Sequence, residues 1–590
     1  VVALKNYNRL KPRDSISIKE VAEEIQQAIS WNKGKMVMKV NELRIINGTF
    51  KTDKQTDREA FAYFDGKHIL FNEINATFKN ASFLADTITA NMDLTAKERS
   101  GLEVKKFLAD VKMTPQGMTF SNMDLQTNRS TLRNFYSMSY NHMDDLGDYI
   151  HKVRMAAVFT DSYIDSDDIA FFAPAMKTWN KKITLKGKVR GTVDDLVGRD
   201  MLVEAGNSTV LNGDITLTGL PDINQTFIDF KANDFRTTYN DAVTFVPAVR
   251  KVTSPDLRKI QYLNFRGSFT GFIRDFVTYG TITTNLGTIT SDVNMKLPKG
   301  QDPVYSGAIA TQNFRLGELL GDKNLGAISM NGTVKGRGFN EKSRNTLIDG
   351  NVQFIEYNGY RYENITLNGR LDKKMFEGVA SLKDKHADFT MNGTIDFNSK
   401  TPRFDLIAKV DKAELKSLRL TKDSLTFKGN LALNFTGKNI DDFLGTARIT
   451  DAEITKDGTR LPFDSLILSS VIDDHEKKLT VESNEFKADI SGNFSLTDLP
   501  NSFTYLLNKY YPAYIKAPKK MPLDQDIRFD INTYYIEEYL QLFAPELSGL
   551  NNSTITGNLN LAQNELNLNV KAYQFKYKQY NFEDVTILAQ

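Results

Sequence analysis

One five-residue phrase, apolar-x-Gly-x-apolar, returns along most of this 590-residue chain and constrains its fold more than any other feature. It is centred on Gly48 (Ile46 and Phe50 flanking), Gly187 (Leu185, Val189), Gly213 (Leu211, Ile215) and Gly267 (Phe265, Phe269). It recurs at Gly332 (Met330, Val334), Gly350 (Ile348, Val352), Gly369 (Leu367, Leu371) and Gly393 (Met391, Ile395). Gly429 (Phe427, Leu431), Gly492 (Ile490, Phe494) and Gly557 (Ile555, Leu559) continue it. Alternate residues of a strand share a face, so each phrase sets apolar, Gly, apolar on one side and polar residues on the other. Repetition of one strand pattern predicts one long sheet rather than unrelated domains. Such a sheet has an oily face that something must cover.

Bulk properties narrow the classes. Lys plus Arg number 75 against 73 Asp plus Glu, and a net charge of +2 gives no field that favours nucleic acid or anionic headgroups. Hydrophobic residues at 41% and aromatics at 11% describe a folded chain, not a disordered one. There is no cysteine, which fits a compartment where stray thiols would be oxidised and excludes disulfides and thiolate metal sites. No apolar run reaches the roughly 18 residues of a membrane span. The opening Val1-Val2-Ala3-Leu4-Lys5 and the strand-like ending at Gln590 read as a fragment of a longer chain, without the anchor or targeting segment expected outside it.

Residues 1–34 read as a linker and helix. Ser17 and Glu20 have capping-box spacing, and Ile18, Val21, Ile25 and Ile29 recur at helical intervals over 15–31. Residues 35–180 read as a β region with short helices: strands to about Asn128, a helix or strand–helix junction in 131–150, and a helix at Ser166–Phe172 before Pro174. From 181 to 590 the phrases imply a continuous β-groove, with helical inserts near Leu316–Leu320, Ser502–Lys509 and Ile536–Phe543. The spacing between phrases is too uneven for a strict β-helix, and regular boundaries of a β-sandwich array are missing. The fold class expected is mainly β: an elongated, curled, mostly antiparallel sheet forming an open U-shaped apolar groove with a few short helices.

Glycine loses packing in a strand, so its repetition calls for a reason. Removing a side chain relieves crowding on the concave surface of a curved sheet and permits local coiling. The residues that alternation assigns to this lining are Ile183, Leu185, Gly187, Val189, Leu211, Gly213, Ile215 and Leu217, then Leu263, Phe265, Gly267 and Phe269. Further along they are Ile328, Met330, Gly332, Val334, Ile365, Leu367, Gly369 and Leu371. Phe389, Met391, Gly393, Ile395, Phe397, Leu425, Phe427, Gly429, Leu431, Leu433 and Phe435 follow. Ala488, Ile490, Gly492, Phe494, Ile555, Gly557 and Leu559 complete the set. The inserts are expected to be too few and short to cover such a face. Two outcomes stay open: the sheet rolls over and fills itself, or its concave side takes an apolar guest, which at about 25 cal/mol per Å² gains several kcal/mol on leaving water.

Catalytic signatures are missing from the sequence. His68, His142, His151, His386 and His475 are scattered without metal-ligand spacing. No nucleophile elbow, P-loop or dinucleotide fingerprint occurs in context. Asp161, Asp165, Asp167 and Asp168 lack the glycine and final Glu of a calcium loop, and Ser166 or Asp167 would cap the helix that follows. Most of the Asn-x-Ser/Thr triplets are read as sitting inside the strand phrase, as its outward, turn-prone part. No enzymatic activity, metal or cofactor is expected.

Several stretches nevertheless resemble a known family. Ser100–Lys106, Asp168–Pro174, Lys186–Gly191, Gly206–Gly213, Gly219–Asp229, Phe265–Gly271, Leu286–Thr288 and Phe314–Gly317 occur in an order similar to the TamB proteins of Bacteroidetes, within the AsmA-like and TamB-like bridge proteins of Gram-negative envelopes. The resemblance implies a U-shaped β-groove that crosses the periplasm between inner and outer membranes. It implies an inner-membrane anchor through an N-terminal helix and contact with a BamA-like outer-membrane barrel of the TamA type through a C-terminal region, both outside this chain. It also implies passive movement of phospholipid, with acyl chains in the groove and headgroups in water, or a scaffold or chaperone role in outer-membrane protein assembly. A surface adhesin whose sheet seals its own interior is a further alternative. Nucleic acid is not an expected partner.

Overall fold

The computed structural model describes residues 31–589 apart from 33–35, 54–57, 173, 175–176, 178–180, 253–254 and 523. The helix expected at 15–31 falls, but for its last residue, outside them. The chain is mainly β: 31 strands belong to one antiparallel sheet that is not closed into a barrel, with a few short helices between them. Contacts divide the chain into two compact units, Val1–Lys251 with Tyr262–Gly280 and Val252–Gln261 with Thr281–Gln590.

The first unit begins with β1 (Met38–Asp53), β2 (His68–Leu84), β3 (Thr87–Glu98), β4 (Glu103–Thr114), β5 (Gly117–Gln126) and β6 (Thr131–Ser139). It continues with β7 (Arg154–Asp165), β8 (Lys182–Gly191), β9 (Asp195–Ala205), β10 (Thr209–Thr218), β11 (Phe227–Thr238) and β12 (Tyr262–Phe272). Each strand pairs with the next along the chain, and β7 pairs with β8 across the segment around residue 180. The register slips by a bulge in strand after strand: Phe120/Met123, Thr131/Asn134, Phe159/Ser162, Lys186/Lys188 and Ala232/Phe235. Asn122, Asn134, Asp161 and Asp200 take positive φ in or beside these bulges, the conformation that short polar side chains tolerate best after glycine. Each bulge bends its strand and increases the local twist. Coiling therefore rests on Asn and Asp as well as on the glycines that the repeated phrase brings forward.

In the second unit the strands are β14 (Gly287–Lys296), β15 (Val304–Phe314), β16 (Leu325–Arg337), β17 (Asn345–Tyr357), β18 (Tyr360–Asp372) and β19 (Met375–Lys383). Then come β20 (Ala387–Asp396), β21 (Arg403–Glu414), β22 (Leu425–Thr436), β23 (Leu444–Lys456), β24 (Thr459–Asp473), β25 (Glu476–Ser483) and β26 (Phe486–Asn493). The last are β27 (Asp526–Thr533), β28 (Leu547–Gly549), β29 (Ser553–Asn560), β30 (Glu565–Tyr577) and β31 (Tyr580–Ala589), while β13 (Asp275–Thr284) has residues in both units. From β14 to β27 each strand pairs with its successor. A helix and the three-residue β28 then intervene, so β27 pairs with β29, and β28 and β29 both pair with the long β30.

The helices largely follow the expected inserts: Leu316–Leu320, Leu499–Tyr510 and Glu537–Phe543. The 131–150 segment divides into β6, a 3-10 turn at Met143–Asp148 and a helix at Tyr149–Lys152. The helix expected at 166–172 is shorter, Ser166–Ile169, and its cap is Asp165 rather than Ser166 or Asp167. Asp165 is the last extended residue before the turn, and its carboxylate accepts the Asp167 N–H at 2.9 Å. A helix at Tyr239–Phe245 has no counterpart in the sequence reading.

Candidate apolar-ligand face

Antiparallel pairing sets same-face residues of successive strands directly opposite one another, so register decides whether the separate phrases make one surface. In the second unit they do. One row runs Leu367–Ala380–Met391–Ala408–Leu431–Ile449–Leu466 through direct partners on seven strands. The neighbouring row runs Val334–Ile348–Gly369–Gly378–Gly393–Leu406–Leu433–Ala447–Leu468 and continues through Val481, Ala488 and Ile531 to Ile555. Residues of the first row are all partly exposed, neither buried as in a sealed core nor fully solvated. Among their chain neighbours on the other face, Asn368, Asn392 and Arg448 are exposed.

Gly369, Gly378 and Gly393 lie side by side on three strands. A Cβ on Gly393 would stand 2.3 Å from the Asp405 carbonyl oxygen, and its φ of +143° is closed to L side chains. The glycines thus serve the backbone, letting neighbouring strands approach where a Cβ would collide.

Near one end of these strands the face becomes aromatic. Phe397 meets Phe404 with ring centroids 5.9 Å apart, Phe404 meets Phe435 at 4.8 Å, and Phe435 meets Phe443 at 4.8 Å. These rings, with Pro402, Ala447, Leu468 and the Gly437–Ile440 loop, line a cavity of about 570 Å³, within the range of small-molecule sites. Phe397 is half exposed at its mouth.

Beyond this cavity the protein covers its own face, contrary to the expectation that the inserts are too small to do so. The Leu499–Tyr510 helix buries Leu506 to 2% exposure in a cluster with Phe443, Leu479, Phe494, Ile527 and Leu559, joined by Phe435 and Ile490. The Glu537–Phe543 helix sets Leu542 and Tyr539 against Phe427, Ile449, Leu461 and Phe463. Two short helices suffice because each lies across several strands. Polar contacts fix the first helix: buried Gln525 donates to Ser502 Oγ at 2.6 Å and accepts the Ser495 N–H at 3.0 Å. Lys477, whose position is apolar in the neighbouring strands, donates to the Ile440 and Asp441 carbonyls at 3.0 and 2.8 Å, and Ser495 Oγ donates to Asp441. Burial pushes the Lys477 ammonium below its usual range, against the pull of Asp441 and Asp442.

Elsewhere in this unit Ile328, Met330, Ile365 and Leu367 belong to a cluster with Leu316 and Leu319 of the Leu316–Leu320 helix. Phe389 packs with Leu382 and with Leu418 from the turn after β21. Leu371 pairs with Phe376, which pairs with Ile395, and Ile395 pairs with Phe404, while Leu425 closes the far end of β22 opposite Lys456. Gly429 is opposite Val410, Gly492 opposite Ile527 and Gly557 opposite Phe529, so they extend the same face.

The first unit has its own in-register face. Leu185 meets Val203, then Leu211, Phe235 and Phe265; Val189 meets Gly198, then Ile215, Phe230 and Phe269. Gly213 and Gly267 flank Ala232, Leu217 meets Ile228, Ile183 meets Ala205, and Leu263 meets Thr237. Leu185, Phe230 and Phe265 are buried at 8% exposure each. The repeated phrase left β2–β7 unassigned, yet Phe78, Met92, Phe107, Phe120, Met123 and Tyr136 form an apolar cluster there. Its signal was alternation without glycine.

Several of the acidic and histidine candidates from the sequence are held in local structure. Asp168 accepts from Thr127 Oγ1 and the Arg129 N–H, and Asp167 pairs with Arg129. His68, His151 and His386 each face one carboxylate, Asp53, Asp148 and Glu414. Among the described residues no group of three or more His, Asp or Glu could hold a metal ion, and no helix is long and apolar enough to cross a membrane. No protein-family model matches this chain, and no curated protein matches it.

Proposed function

We propose that this protein carries the acyl chains of phospholipids along its apolar sheet face, as a periplasmic bridge between inner and outer membranes that supports outer-membrane biogenesis. The observation that carries the reading is the row Leu367–Leu431: apolar, continuous in register over five strands and partly exposed throughout. Apolar surface of that kind is a cost in water that an alkyl chain removes on binding. The headgroup would stay in solvent, which avoids burying a charge without a partner. The residue pattern similar to the TamB family supports the placement between membranes and the inner-membrane and barrel partners. This is a carrier without catalysis: direction would come from a concentration difference or a partner.

A photocrosslinking residue in place of Met391 or Leu431 tests the reading in cells. Lipid adducts at both positions are expected. Polypeptide adducts would favour the alternative, a scaffold or chaperone for outer-membrane proteins. Adducts to neither, with no lipid retained in native mass spectrometry of the purified chain, would leave a sheet that fills itself and end the carrier proposal.

A further inference from the structure

Four successive strands of the first unit place a methionine in the same row. Met113 on β4 is the direct partner of Met118 on β5, Met118 of Met138 on β6, and Met138 of Met155 on β7. The row is continued by Ile88 on one side and Gly191 on the other, so it belongs to the apolar face. All four are partly exposed, whereas Met92 and Met123 in the adjoining cluster are 8% and 4% exposed.

Thioethers differ from the alkyl side chains that make up most of the two rows in the second unit, where Met391 is the one methionine. They are flexible and polarizable, and they accept an oxygen atom where an alkyl group does not. The chain has 16 methionines and no cysteine, so no thiol competes with them for an oxidant.

We propose that Met113, Met118, Met138 and Met155 are an oxidation-responsive section of the apolar face, converted to sulfoxides by a hydroperoxide or hypohalous acid. With hydrogen peroxide, the sulfur lone pair attacks one peroxide oxygen. The S–O bond forms as the O–O bond breaks, the sulfur gives up two electrons, and the departing hydroxide takes the proton of the transferred oxygen to leave as water. Each sulfoxide sets a strong acceptor dipole in an otherwise apolar row, and apolar cargo loses its contact there. The inference rests on the acyl-chain reading of the face and adds a regulation to it.

The test uses the full chain, graded hydrogen peroxide, peptide mass mapping and capture of NBD-labelled phosphatidylethanolamine. The four row methionines should oxidise well before Met92 and Met123, and capture should weaken by about tenfold or more as they do, with the far-UV β signal unchanged. A variant with all four changed to Leu, a nearly volume-conserving swap, should capture the probe and keep it through the same treatment. Equal protection of row and buried methionines overturns the inference. So does wild-type capture that survives oxidation of the row, a Leu variant that loses capture in peroxide, or a loss that follows unfolding. Failure of the untreated wild type to capture the probe would instead overturn the acyl-chain reading, and the inference with it.

Discussion

Gly393 shows how much a single position of the repeated phrase determines. Its positive φ and the 2.3 Å approach that a Cβ would make to the Asp405 oxygen act together, so Gly393→Ala should strain the β20–β21 pair by about 1–3 kcal/mol. Ala at Met391, two residues away and partly exposed, should cost less. Chemical denaturation of both variants checks this, and equal losses would show that the glycine is only a gap in the packing. Glu414 gives a second residue-scale expectation. Lys412 and His386 hydrogen-bond its carboxylate and hold its pKa down at about 2 from an ordinary 4.5, while Ser417 ties it to the turn that carries Leu418. A lowered folded pKa means that its stabilisation is complete above pH 4.5 and disappears as pH falls toward 2. The difference in melting temperature between wild type and Glu414→Gln should therefore be largest above pH 4.5 and close toward pH 2. A difference independent of pH would remove the carboxylate from the account.

At the scale of elements, the Leu499–Tyr510 helix occupies the place over β22–β30 that an alkyl chain would take. Leu506→Ala should cost about 2–5 kcal/mol, because it empties a well-packed site. It should also open the face beneath. A photocrosslinker at Ile490 should yield little lipid adduct in the wild type and more in the Leu506→Ala background, with labelling at Met391 unchanged. Equal labelling at Ile490 in both backgrounds would mean that the helix does not occlude that part of the face. This helix also marks the limit of what local pattern reveals. Period-two alternation and the glycine phrase are both written within ten residues, so the mainly β sheet was legible, and the inserts expected near 316–320, 502–509 and 536–543 stood out as breaks in that alternation. Where an insert comes to rest is a long-range matter. Nothing near Leu506 in sequence announces Leu479 or Leu559, and the buried Gln525–Ser502 bond joins residues 23 positions apart. The methionine row was hidden for the same reason, since its members become neighbours only through pairing. The cap at Asp165 was missed by a single residue, because helical periodicity does not fix where the first turn begins.

For the molecule as a whole, an open sheet in which strands contact their chain neighbours has a stability that sums over adjacent pairs. Within the second unit the terms are unequal. β31 pairs only with β30 among the described residues and carries Leu588 at 76% exposure and Tyr580 at 58%. β25, β27 and β29 have partners on both sides and lie under the Leu499–Tyr510 helix, with Leu479, Ile527 and Leu559 at 1%, 1% and 0% exposure. The row from Leu367 to Leu431 is intermediate: fully paired, but only partly covered. Opening by fraying costs one pair at a time at β31, whereas opening at β27 must break two pairs and lift a helix. Native-state hydrogen exchange should therefore show least protection in β31, more in β18–β21 and most in β25–β29. Bound lipid should raise the protection of β18–β21 without altering that of β25–β29, because a ligand stabilises only the states that present its site. Uniform protection from β18 to β31 would mean that the sheet opens as a single cooperative block, and a lipid effect confined to β25–β29 would place the guest under the helix instead of beside it.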